Sequence, residues 1–95
     1  MNDDNVGLLL DVGHAKVAAS AHGFDPAEFF ELPIDALHLS DNDGTRDNNQ
    51  PFDETAWFAP FLKKFAAIPN VIEVYRLPPA EMLRQRERLA RLLGL

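Results

Sequence analysis

Three short apolar segments each carry one residue that can bind a metal ion or move a proton. Asp11 follows Gly-Leu-Leu-Leu, His38 lies between two leucines, and Glu73 lies within Val-Ile-Glu-Val. A carboxylate in an apolar segment is costly to bury unless it is paired or bound to a cation. Carboxylate and imidazole together suit Mn, Mg, Co or Zn. We therefore predict a divalent-metal site formed by Asp11, His38 and Glu73.

Each of the three residues also has a plain structural interpretation. Asp11 could cap a helix or close a turn at the end of a strand. His38 could be a hydrogen-bonded core histidine, and strand alternation could point Glu73 at solvent. Each signal is weak by itself. Their occurrence at three successive strand ends favours a shared site.

Apolar periodicity and chain breakers predict elements that position these residues. Strands are predicted at 6–10, 34–39 and 71–75, with helices at 15–22, from Asp25, at 53–67 and at 80–93. The unbroken apolar run 6–10 predicts a strand that is covered on both faces. Residues 40–52 are polar and predict a long loop. Alternating strands and helices predict an α/β fold with parallel pairing, in which ligands bind at the carboxyl ends of the strands.

Composition limits the classes of protein. The chain has 95 residues, enough for a single domain spanning 1–95. Its net charge of -6 disfavours binding along nucleic-acid phosphates. The lack of cysteine excludes disulfides and thiolate metal sites. No apolar run is long enough to span a membrane, and residues 1–5 show no secretory signal. We expect a cytoplasmic location.

Three segments resemble strands of one known family. Gly7-Leu-Leu-Leu-Asp-Val-Gly-His14 resembles the sixth-strand signature of the xylose isomerase-like barrels. Leu37-His-Leu-Ser-Asp-Asn-Asp-Gly-Thr-Arg-Asp47 is similar to their seventh strand and the following loop, and Val71-Ile-Glu-Val to their eighth strand. The family includes sugar phosphate isomerases and epimerases, and the endonuclease IV group. The resemblance implies a partial (β/α)8 TIM barrel, because a complete one takes about 250 residues and this chain matches the last three β/α units.

The resemblance also implies roles for the matching residues. Asp11, His38 and Glu73 match metal ligands, and Glu73 also matches the glutamate that exchanges a proton with the sugar carbon. His14 matches a histidine that contacts the substrate or a second metal, and Arg46 matches an arginine that contacts the substrate. Asp47 matches the first residue of an Asp-x-His pair and is a further candidate ligand. The second position of that pair is Asn49, which disfavours a multi-zinc site of the endonuclease IV type.

The implied activity is divalent-metal-assisted proton transfer on a ketose or aldose, with a sugar or sugar phosphate as substrate. The family's first five strands have no counterpart here, and one of them carries a further glutamate ligand. We therefore expect the chain to be incomplete as an enzyme by itself. The alternatives are a non-catalytic metal- or sugar-binding remnant, an assembly module and, less favoured, a phosphodiesterase. Open strand edges predict a homo-oligomer or a partner chain that supplies the missing strands.

Overall fold

The computed structural model describes residues 6–95 and contains one sheet with helices. In chain order the elements are β1 (Leu9–Asp11), α1 (Val12–His22), a first 3₁₀ helix (Pro26–Glu31), β2 (Ala36–Leu39), a second 3₁₀ helix (Ala59–Phe65), β3 (Asn70–Ile72) and α2 (Pro79–Leu92). Residues 1–5, on which the expectation about a secretory signal rests, lie outside the described residues.

The sheet is parallel, as predicted. Its strand order is β1-β2-β3, and β2 pairs in parallel with both neighbours. Asp11 lies opposite His38, and His38 lies opposite Val71. The protein is thus a small α/β structure with three parallel strands in one sheet, an arrangement compatible with part of a larger α/β fold.

The two faces of the sheet differ in burial. Leu10, Leu37 and Leu39 are buried on one face, in a core cluster that also contains residues from all the helices. The opposite face carries Leu9, which is 50% exposed, and Val71, which is 43% exposed. The expectation that strand 6–10 is covered on both faces is therefore wrong. Among residues 6–95, the helices supply apolar cover to one face.

Capping residues mark the ends of the two α-helices. The Oδ1 atom of Asp11 accepts a hydrogen bond from the backbone N–H of His14 at 3.0 Å and so caps α1. The helix ends at Gly23, whose φ of 75° is strained for residues with a Cβ. α2 begins beside Pro78 and closes at Gly94, close to the predicted bounds. In the described part of the chain, no helix has the length and apolar character to cross a membrane.

The helix predicted over residues 53–67 is largely wrong. Residues 54–58 form turns and a bend, and only the second 3₁₀ helix follows. The Asp53 carboxylate accepts the N–H of Thr55 at 2.8 Å, a local bond that competes with helix formation. Pro60 has no N–H to donate within the turn that follows. The apolar side chains that recur through residues 57–65 nevertheless pack into the core, where Phe58 and Leu62 are fully buried.

Candidate metal centre

Asp11, His38 and Glu73 meet on the open face of the sheet. Each offers one ligand atom, and these atoms lie within 4.8 Å of one another. The register explains the grouping, because Asp11 lies opposite His38 and His38 opposite Val71. Side chains two residues apart on a strand share a face, and Glu73 follows Val71 by two positions. The predicted ligand set is therefore brought together by strand pairing.

His38 and Glu73 contact each other directly. His38 Nδ1 and Glu73 Oε1 are 2.6 Å apart, and the two side chains are 27% and 34% exposed. Metal ions bind such ligands at about 2.1 Å, which sets neighbouring donors about 3.0–4.2 Å apart. Small side-chain rotations would open the pair to that spacing. The donor set and its partial burial fit a divalent ion.

The Asp11 side chain combines the cap with a place in this cluster. Its Oδ1 is used by the N–H of His14 at 3.0 Å. A carboxylate has a second oxygen with free lone pairs, so capping leaves one oxygen for a cation. The cap also fixes the direction of the carboxylate. The structural interpretation of Asp11 and its predicted role as a ligand are therefore compatible.

Glu73 is held in place through its backbone. Its N–H donates to the carbonyl of Leu39 at 3.0 Å, which continues the pairing beyond β3. Asn49 Nδ2 donates to the carbonyl of Glu73 at 2.7 Å, and the N–H of Tyr75 donates to the carbonyl of Asn49 at 3.2 Å. Asn49 is buried and has a φ of 51°, a conformation that asparagine tolerates better than most residues. Asn49 thus clamps the residue that carries the candidate base, a role that the sequence did not reveal.

His14 and Asp47 form a separate pair beside the cluster. His14 Nδ1 and Asp47 Oδ2 are 3.1 Å apart, with the His14 side chain 77% exposed and that of Asp47 22% exposed. Asp47 Oδ1 is buried and has no hydrogen-bond partner among the described residues. A Cβ on Gly13 would lie 2.8 Å from this oxygen and 2.7 Å from Ser40 Oγ. Glycine at 13 therefore allows this close approach, and Asp47 lies outside the group of three candidate ligands.

Arg46 lies apart from the cluster as well. It is exposed and lines a cleft of about 620 Å³ between the loop that follows β2 and the segment that follows β3. Nearby, the side-chain hydrogen bond from Thr45, then its backbone N–H and the charge of Arg46, hold the pKa of Asp43 below its usual value. The three candidate ligands do not line this cleft. Asp47 lines the cleft and contacts His14, whose backbone N–H donates to Asp11 of the cluster.

The chain has no match among protein-family models, curated proteins or solved structures. The structure by itself defines a class: a small parallel α/β protein with a partly buried carboxylate–histidine group at its strand ends. The relationship to xylose isomerase-like barrels stays a prediction from the three sequence segments.

Proposed function

We propose that the chain is the part of a xylose isomerase-like barrel that contains strands six to eight, and that it serves a metal-assisted sugar isomerase or epimerase. One observation carries the proposal: Asp11, His38 and Glu73 meet at the carboxyl ends of parallel strands. That edge is where α/β proteins bind ligands. The strand order agrees with the order of the family segments in the sequence.

The chemistry follows from the donor set. A divalent ion bound there would polarise the carbonyl and hydroxyl oxygens of a ketose or aldose. In this proposal Glu73 would take the proton from the adjacent carbon; His38 contacts its carboxylate, and the Asn49 side chain donates a hydrogen bond to its backbone carbonyl. Epimerisation needs a second acid or base on the other side of that carbon. The cluster holds none beyond Asp11 and His38, so a partner chain would supply it.

A second candidate is a non-catalytic metal- or sugar-binding remnant. It is favoured by the open sheet face and by the outer edges of β1 and β3, which are unpaired among the described residues. A phosphodiesterase of the endonuclease IV type is less favoured, because Asn49 is buried and its amide is committed to the Glu73 carbonyl.

The decisive experiment is a calorimetric titration of the metal-free protein with Mn²⁺. We expect micromolar binding by the wild type. Asp11→Asn and Glu73→Gln should each weaken binding at least tenfold, because an amide is a poorer ligand than a carboxylate for a hard cation. Glu87→Gln is the matched control, since Glu87 is exposed on α2 outside the cluster.

Two outcomes would reject the metal site: a wild type that binds no Mn²⁺ at millimolar concentration, or cluster variants that bind as the Glu87→Gln control does. Once binding is established, turnover of ketoses and aldoses separates the enzyme from the remnant. Interconversion that Glu73→Gln abolishes supports the isomerase or epimerase, whereas metal binding without turnover supports the remnant.

A further inference from the structure

The cleft beside the candidate metal centre has two positively charged walls. Arg46 lies on one wall, in the loop after β2, and Arg76 on the other, after β3. Both side chains are exposed, and neither forms an ion pair within residues 6–95. Asp43 is near enough for its charge to interact with Arg46 but makes no such pair. The chain as a whole carries a charge of -6, so a pair of unpaired arginines is a local feature.

The left-handed backbone conformation of Arg76 supports a ligand-binding role for this wall of the cleft. Arg76 has a φ of 59°, a left-handed conformation that is uncommon for a residue with a Cβ. Such strained residues concentrate at ligand-binding sites. Its neighbour Tyr75 is tied by its N–H to the carbonyl of Asn49 on the opposite loop. The segment that carries Arg76 is therefore fixed against the loop that carries Arg46.

Asn49 links both walls to the metal centre. It accepts the N–H of Tyr75 and donates to the carbonyl of Glu73, so the cleft and Glu73 share one support. The remaining charge on the cleft wall belongs to Asp47, which pairs with His14. The cleft therefore carries two guanidinium groups and one carboxylate, and the carboxylate is already paired, so its lining is positively charged. Tyr75, whose side chain is exposed, adds a phenolic O–H at the same wall.

We propose that this cleft binds the phosphate group of a small phosphate monoester between Arg46 and Arg76. Guanidinium groups present donors in a fork that matches phosphate oxygens, and two of them neutralise a dianion. This inference rests on the proposed function: if the chain serves a sugar isomerase or epimerase, the cleft makes a sugar phosphate its substrate. The binding itself requires no metal.

The test uses the full chain in EDTA at low ionic strength, titrated with inorganic phosphate and with glycerol 3-phosphate. Arg46→Gln and Arg76→Asn should each weaken phosphate binding at least tenfold; asparagine at 76 tolerates the left-handed backbone. Arg86→Gln removes the same charge from an exposed position on α2 outside the cleft and should change affinity less than twofold.

Acetate is the competitor that tests the ligand class, and it should not displace phosphate at equal concentration. The proposal is overturned if the wild type binds no phosphate at millimolar concentration, if acetate competes equally, or if the two cleft variants match Arg86→Gln. The separate Mn²⁺ titration keeps the failures distinguishable. A wild type that binds Mn²⁺ but no phosphate rejects the phosphate site alone. A wild type that binds phosphate but no Mn²⁺ rejects the metal site alone.

Discussion

Asp11 shows how one residue can serve both the fold and the site. Its Oδ1 caps α1 while the carboxylate lies in the group with His38 and Glu73. A substitution that removes the carboxylate therefore has two effects, and these can be separated. Asparagine is as good an N-cap as aspartate, but its neutral amide is a weaker metal ligand.

We expect Asp11→Ala to lower the free energy of unfolding by about 1 kcal/mol through loss of the cap. Asp11→Asn should stay close to the wild type in stability and still lose Mn²⁺ binding. Urea unfolding of the metal-free protein measures the first effect, and calorimetry measures the second. If Asp11→Asn is as unstable as Asp11→Ala, the side chain does not act as a cap.

The sequence was sufficient to select the three residues of the cluster but not the residues that hold them in place. Alternation and strand ends were enough to select Asp11, His38 and Glu73, because a parallel register brings such positions together. The clamp made by Asn49 was not predictable, since its partners at 73 and 75 are distant in sequence. The only local signal was its residue type, which suits a left-handed backbone in a polar loop.

At the scale of elements, the helix predicted over residues 53–67 fails because local backbone chemistry favours turns there. The apolar residues that recur over 57–65 predicted a helix, but this spacing does not distinguish an α-helix from turns followed by a 3₁₀ helix. Asp53 and Pro60 changed the backbone while leaving the buried face in place. The short strands β2 and β3 were predicted from the sequence, because short runs of strand-forming residues bounded by chain breakers are typical of strands.

Gln85 joins α2 to the chain just before those turns. It is 1% exposed and bonds Phe52 twice: Phe52 N–H donates to Gln85 Oε1 at 3.0 Å, and Gln85 Nε2 donates to the Phe52 carbonyl at 2.9 Å. A glutamine in an arginine-rich helix would be read from sequence as a solvated residue. Its burial is set by tertiary packing, since Phe52 is itself in the core.

We expect Gln85→Leu to destabilise the fold by about 1–3 kcal/mol, because it leaves the buried N–H of Phe52 without a partner and its carbonyl with only the 3.4 Å hydrogen bond from Arg88. The matched control is Gln50→Leu, at an exposed position. Chemical denaturation of both variants measures the difference. Equal stability of the two variants would mean that water replaces the Gln85 contacts without cost.

At the scale of the whole molecule, one face of the sheet is covered by helices and the other is exposed. Leu10, Leu37 and Leu39 are covered, whereas Leu9 and Val71 expose about half of their surface beside the candidate ligands. The outer edges of β1 and β3 are also unpaired within residues 6–95. Exposed apolar faces and free strand edges favour association.

We therefore expect the chain to self-associate at tens of micromolar. Leu9→Lys or Val71→Lys should shift it toward monomer, because a charged side chain on the open face must be desolvated when two copies meet. Leu83→Lys is the control, as Leu83 is similarly exposed but lies on α2. Sedimentation velocity measures the mass of each. A wild type that is monomeric at this concentration would contradict the prediction, and so would equal dissociation by the Leu83 variant, which would place the contact on the helical side.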